Sequence, residues 1–249
     1  MAGTIWYLKT CALFERLSDD EAERLNRRAR VRRFPRKSLV YAPADGEPAV
    51  LVLASGRVKI YDLTGEGRET ILAFIEQGEL FGELSTLDGE PRQEFAEAAE
   101  DCEVLAIPGE DFLALLESRG DLALSLTRLV GLRRRRIENR LRNILFLPSR
   151  ARLVRLLVEL VEAHGELLGT RYAIRFPLTH QDLAGLIGVT RETVTLTLGQ
   201  LQQEGLIAVE RQRVIVTSMK KLRQEAAGGT PGTAGGAAAE PLKPRVTPT

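Results

Sequence analysis

The sequence predicts an α+β chain in three parts: a β-rich N-terminal roll or sandwich, one long helix, and a C-terminal helix-turn-helix closed by a β-hairpin. Three observations carry this. Short β-rich runs punctuated by Gly, Pro and Asp fill residues 31–108. Apolar residues recur at seven-residue spacing through Val130, Ile137 and Ile144. A capped helix, a turn glycine and a second capped helix then follow one another between Thr179 and Gly205.

The elements follow in order. Leu13, Phe14 and Leu17 precede Ser18-Asp-Asp-Glu21, and a Ser with Glu three residues on is a capping box. It predicts a helix from Asp19 to about Arg30. Strands are expected at 38–41, 50–53, 57–63, 69–74 and 103–107, with Gly65-Glu-Gly67 as a hairpin tip. Many short strands at this spacing suit an antiparallel sandwich or jelly roll. After Pro108 the pattern turns helical, with a short helix over 111–117 and a long one from Asp121 to Phe146. Leu126, Leu141 and Leu145 flank the heptad positions of the long helix, so its narrow apolar seam is expected to pair two copies of the chain. Pro148 ends it, and an amphipathic helix runs on to His164. Residues 165–172 read as a polar connection. From Ala226 to Thr249 the chain is Gly, Ala, Pro and Thr with almost no large apolar residues, which predicts disorder.

Composition narrows the function classes. Apolar residues make up 44% and charged residues 28% of the 249, enough for a real core, and the net charge is +1. A near-neutral whole chain offers no electrostatic argument for nucleic acid, so that case rests on local motif. Cys11 and Cys102 stand far apart with no CxxC or Cys/His cluster, which argues against a disulfide framework, zinc or an iron–sulfur cluster. No apolar run approaches the about 20 residues that span a membrane. The N-terminus is too short and weakly apolar for a signal peptide, so a reduced cytoplasmic setting is expected. No Gly-rich phosphate loop and no nucleophile–base pair occurs, and no enzyme activity is expected.

The densest motif is FPLTHQDLAGLIGVTRETVTLTLGQLQQEGLIAVERQRVIVTS. Thr179 caps a first helix with Asp182 at its third position, and Leu183, Ala184 and Ile187 give that helix one apolar face. Gly188 makes the turn. Thr190 caps a second helix that presents Arg191, Glu192, Thr193 and Thr195, while Val194, Leu198 and Leu201 anchor it. Two β-runs around Arg211-Gln212 form a wing. A protruding helix beginning Arg-Glu-Thr is suited to base edges in a major groove.

At this point the chain resembles the Crp/Fnr family of transcription regulators, from about Leu13 to Leu222, and Thr190-Arg-Glu-Thr-Val194 matches the start of the family's recognition helix. Thr-His-Gln at 179–181 and Thr-Val-Thr at 193–195 also resemble cyanobacterial nitrogen regulators of that family. The resemblance implies a cyclic-nucleotide-binding-type β-roll, a long dimerisation helix and a winged helix-turn-helix. It implies that Arg191 and Glu192 contact bases. Arg suits guanine and Glu can accept from cytosine N4, while Thr179, Thr190 and Thr193 could hold phosphates. His180, Gln181, Thr195 and Arg211 complete the expected DNA-binding set. One departure stands out: Leu196 occupies a place where the family often has a second Arg, so the preferred half-site should differ there unless Thr195 or Thr197 substitutes.

The same resemblance places an effector pocket at Gly82-Glu-Leu84 and Arg92-Gln93, with Glu83 on a ribose hydroxyl and Arg92 on a phosphate. Gln93 and Glu94 depart from the family's phosphate cassette, and Ile137-Glu138 replaces the Thr-Ser pair that cyclic AMP responders place on the long helix. These departures disfavour cyclic AMP against a different small anionic effector, or none. Haem sensing is also disfavoured, because His164 and His180 lie outside the sensor. The run Arg133–Arg136 is either a solvated basic face or a source of guanidiniums for an anionic effector, Arg133 and Arg134 foremost, with Glu138 as a candidate partner.

The expected organisation is therefore a sensor over 1–120, a dimerisation helix over 121–146, a DNA-binding domain over 147–225 and a tail over 226–249. The expected partners are double-stranded DNA, a second copy of the chain and, for an activator, RNA polymerase, with no membrane. The competing expectation is a β-roll regulatory or protein-interaction module that does not read DNA.

Overall fold

The computed structural model describes residues 8, 11–45, 49–210 and 213–228. Helix α1 (Asp19–Arg28) opens on the predicted capping box: Glu21 N donates to Ser18 Oγ at 3.3 Å, and Ser18 N donates to Glu21 Oε2 at 2.8 Å. Eight strands follow, β1 (Arg30–Phe34), β2 (Leu39–Tyr41), β3 (Ala49–Ser55), β4 (Val58–Leu63), β5 (Glu69–Ile75), β6 (Leu80–Phe81), β7 (Phe95–Ala98) and β8 (Cys102–Pro108), with a short helix α2 (Leu84–Asp88) after β6. They form two antiparallel sheets of order β1-β8-β3-β6 and β2-β7-β4-β5.

The five expected strands are present, and three more appear. β1 reads RVRRF, four of its residues are exposed, and it pairs along β8 with Arg33 bridging to Glu103. Charges on an exposed strand hid it from a pattern search that looks for apolar alternation. β7 reads FAEA, whose Ala and Glu carry little strand preference, and the two-residue β6 is too short to read. The tip at Thr64–Arg68 closes as expected, with Gly67 at φ 75°.

Between the sheets lie Leu51, Leu53, Val58, Ile60, Phe81 and Val104. β3 is buried on both faces, because Val50 and Val52 look outward onto Phe14, Leu25, Phe112, Leu122 and Leu126. Those residues come from α1, α3 (Gly109–Ser118) and the start of the long helix α4 (Gly120–Phe146). The apolar seam of α4 thus divides. Its first part, through Leu126, is buried in its own sensor, while Leu132, Ile137, Leu141, Leu145 and Phe146 are exposed.

Leu147 is extended, and α5 (Ser149–His164) begins directly after Pro148. The stretch read as a polar connection is a hairpin, β9 (Gly165–Leu168) with β10 (Arg171–Ile174), turning at Gly169 with φ 64°. Then come α6 (His180–Ile187), α7 (Arg191–Gln203), β11 (Ile207–Glu210), β12 (Arg213–Val216) and α8 (Met219–Gly228). The sheet order β11-β12-β10-β9 joins wing and hairpin into one surface. Helix α8 extends through Gly228, so the first three residues of the expected disordered tail are helical because Leu222 of that helix is fully buried against the domain core. The remainder of that expectation, 229–249, lies outside the described residues. No helix among the described residues is long and apolar enough to cross a membrane.

Candidate DNA-reading face and sensor pocket

The helix-turn-helix is held by the predicted caps. Asp182 N donates to Thr179 Oγ1 at 3.0 Å, and Thr179 N donates to Asp182 Oδ2 at 2.9 Å. Gly188 ends α6 in the left-handed region at φ 66°, ψ 50°, a conformation that a Cβ would strain. Thr190 caps α7 by accepting from Thr193 N at 3.3 Å. Val194, Leu198 and Leu201 are buried, which leaves Arg191, Glu192, Thr195 and Leu196 on the open face. The Glu192 carboxylate lies at the helix N-terminus, where backbone N–H and the Thr190 hydroxyl hold it below the usual carboxylate range.

The polar inventory of this face is more committed than the sequence suggested. Thr179 Oγ1 donates to Asp182 Oδ2 at 2.7 Å, and Thr190 Oγ1 and Thr193 Oγ1 lie 3.1 Å apart. Thr195 Oγ1 donates to Arg191 O at 2.9 Å and lies 2.8 Å from His180 Nδ1. A hydroxyl has one proton, so His180 Nδ1 is the donor in that second bond, which fixes its tautomer. Thr197 is buried and donates to Thr193 O at 2.8 Å, which removes it from the reading face. Gln181 is exposed beside His180. Arg211, expected at the wing tip, lies outside the described residues.

The sensor pocket gathers Gly82, Glu83, Arg92 and Arg133. Arg92 is 6% exposed: Nη2 donates to Ala49 O at 2.6 Å and the guanidinium lies 3.9 Å from the Tyr41 ring centre. Its Nη1 is buried with no hydrogen-bond partner among the described residues, as is Thr86 Oγ1 of the adjoining helix α2. Gly82, at φ 67°, leaves room that a Cβ would fill 3.0 Å from Arg92 Nη1. An orphaned guanidinium N–H beside a glycine cradle fits an anionic oxygen, which would supply the missing acceptor. Glu94, which looked hostile to an anion, accepts from Tyr41 Oη at 2.9 Å; burial, then the Glu94 charge, push the tyrosine pKa up.

Arg133 reaches across from α4. It bridges to Glu83 Oε1 at 2.8 Å and also donates to Leu80 O. The other long-helix expectations separate from it. Arg134 pairs with Glu138 at 2.7 Å on the solvent side, so Glu138 partners Arg134 while Glu83 partners Arg133. Ile137 is 56% exposed one turn below Arg133, and Leu84 and Gln93 are exposed at the rim. Sequence reasoning missed Tyr41, Thr86 and the carbonyls of Ala49 and Leu80, because no local pattern marks residues that converge only in the fold.

The two functional regions touch. Gly185 of α6 packs on β5, where a Cβ would meet Ile71 Cγ1 at 3.1 Å, and Tyr61 and Ile71 join the core of the C-terminal domain. Arg57 lies 3.4 Å from the Phe176 ring centre, His164 Nδ1 pairs with Glu76 at 3.0 Å, and Arg140 Nη1 donates to Ile71 O at 2.7 Å. The sensor sheet, the long helix and the helix-turn-helix therefore share one packed boundary. Cys11 and Cys102 are both buried and unpaired, and no group of His, Cys, Asp and Glu among the described residues could hold a metal ion.

Comparisons with known proteins agree with this arrangement. Residues 31–119 match the cyclic nucleotide-binding domain, and residues 151–225 match the Crp-like helix-turn-helix domain. A cyclic AMP receptor protein from Thermus thermophilus is 33% identical over 89% of this chain and 99% of its own. The global nitrogen regulator of Synechococcus elongatus is 29% identical over 78% of this chain and 89% of its own. A solved transcriptional regulator from Thermus thermophilus superposes with a TM-score of 0.64 at 27% identity, covering 81% of this chain and 100% of that one.

Proposed function

The chain belongs to the Crp/Fnr family of DNA-binding transcription regulators, and from that premise we propose that it acts as an effector-controlled homodimer on a palindromic site. The observation that carries this is the open N-terminal end of α7: Arg191 and Glu192 are exposed there while the opposite face of the helix is locked into the core. Arg191 reads guanine, Glu192 reads a cytosine amino group, and Thr179, His180, Gln181, Thr190, Thr193 and Arg211 set the register on phosphates through hydroxyls, backbone N–H groups and charge. The functional division is a sensor over 1–120, a dimerisation helix over 121–146 and a DNA-binding domain over 147–225.

The exposed leucines and isoleucine on the C-terminal half of α4 support pairing of two copies there. The pocket takes a small anionic effector. Its anionic group meets Arg92 Nη1, and its hydroxyl or charged groups compete with Arg133 for Glu83. Because Arg133 starts from α4, ligand capture pulls on the helix that leads to Pro148 and the boundary at Gly185, Ile71 and Arg140. The effector biases how the recognition helices are spaced, which is a differential contact of the kind control requires. Such a regulator works in the cytoplasm, and as an activator it would also meet RNA polymerase.

Hydroxyl-radical footprinting on a duplex selected from random DNA tests the reading. Two protected patches about one helical turn apart are expected, with affinity changed by cyclic AMP, inorganic phosphate or another small anion. A single patch would remove the dimer, and equal affinity with every anion tried would remove effector control.

A further inference from the structure

Leu196 is 70% exposed, the most exposed large apolar side chain of the described residues. It lies two residues from Val194 and from Leu198, about 160–200° round the helix from each, so it is directed away from the core they join. Glu192 and Gln200, four residues before and after, share its face. Gly199, three residues on, has open space where a Cβ would stand. A leucine thus projects from the row Glu192, Leu196, Gln200 with bare backbone beside it. Single exposed leucines are common on protein surfaces and need no cause. This one stands in the middle of the surface that enters the groove.

Its neighbours cannot supply polar readout in its stead. Thr197 is buried and donates to Thr193 O, and the one proton of Thr195 goes to Arg191 O. What remains at this step is a branched hydrocarbon. The major-groove feature that matches hydrocarbon is the C5 methyl of thymine, which no other DNA base carries.

We propose that Leu196 is a specificity-determining residue that reads a thymine methyl by van der Waals contact, making T·A rather than G·C the preferred pair at the step it reaches. This rests on α7 being the recognition helix. The adjoining Gly199 lets the groove wall approach closely enough for the contact.

The test uses the full-length protein. Binding sites are selected from random duplexes at low ionic strength, where affinity is highest, with wild type, Leu196→Arg and Arg191→Ala. Leu196 is exposed, so the substitution leaves the fold intact, and thermal unfolding checks that. The pair whose identity changes between the wild-type and Leu196→Arg selections marks the step, from T·A to a pair carrying guanine. Deoxyuridine is then placed at that thymine. Removing one buried methyl is expected to cost about four-fold in affinity per half-site, and about fifteen-fold for both. The loss should vanish in Leu196→Ala, which has no side chain to make the contact. A wild-type site that binds deoxyuridine and thymidine equally, or a Leu196→Arg selection identical to wild type, overturns the inference while Arg191-dependent selection leaves the DNA-reading function standing. A wild type that enriches no sequence overturns both.

Discussion

Replacing Leu141 by Glu should separate the dimer without unfolding the protomer. Leu141 is 54% exposed in the single chain and lies four residues from Ile137 and Leu145, which are 56% and 64% exposed. Burying a whole leucine side chain is worth about 1.5–3 kcal/mol, so closing the exposed half of this one contributes about 1 kcal/mol per protomer. A carboxylate in its place forfeits that and adds a desolvation cost of about 2 kcal/mol in an apolar seam. A two-fold axis applies both terms twice, giving about 6 kcal/mol, or about four orders of magnitude in the dimer dissociation constant. Sedimentation equilibrium reads the mass directly, and circular dichroism melts of the variant should stay close to those of monomeric wild type. Wild-type mass retained by Leu141→Glu at low micromolar concentration would refute the reasoning, because the exposed half of the seam would then not be the interface.

Two further outcomes follow from the titrating groups. Burial raises the Cys102 thiol to about 11 and pushes Cys11 up as well, so at pH 8 only about one Cys102 thiol in a thousand is ionised. Iodoacetamide should leave both native cysteines unmodified and label both in denaturant, and rapid native labelling of either would contradict the packing. The hydrogen bond from His164 holds Glu76 below the usual carboxylate range. A carboxyl with a lowered folded pKa contributes stability that is complete above its unfolded value of about 4.3 and is lost as pH falls through the folded value. Urea unfolding should therefore show wild type losing more stability than Glu76→Gln between about pH 5 and pH 3, and parallel losses would mean that the contact across the domain boundary adds nothing.

Much of this molecule is written in local pattern. The caps at Ser18, Thr179 and Thr190, the turn at Gly188 and the heptad of α4 are short-range devices, and each forms where its residues predict. The DNA-reading face was legible for the same reason, since a helix N-terminus is set by the few residues around it. The strands that were not legible owe their state to neighbours distant in sequence. RVRRF becomes a strand because β8 lies beside it, and the hairpin at 165–174 because β12 does. The pocket was half legible. A family resemblance identified Glu83 and Arg92, while Arg133 as the partner of Glu83 is a contact over fifty residues that no spacing encodes. The docking of Gly185 on Ile71 is of the same kind, and there a missing side chain is the only local trace.

Base reading by α7 is tested most directly by the specificity ratio, the affinity for the selected duplex over that for its scrambled sequence, measured by fluorescence anisotropy at fixed salt. It should be compared between wild type and the double variant Arg191→Ala, Glu192→Ala. Each lost base contact is worth about 1–3 kcal/mol of discrimination. The ratio should collapse by at least about a hundred-fold, while binding to scrambled DNA falls much less and thermal unfolding is unchanged, both side chains being exposed. An undiminished ratio in the double variant would show that sequence is read elsewhere, and the central claim would fall.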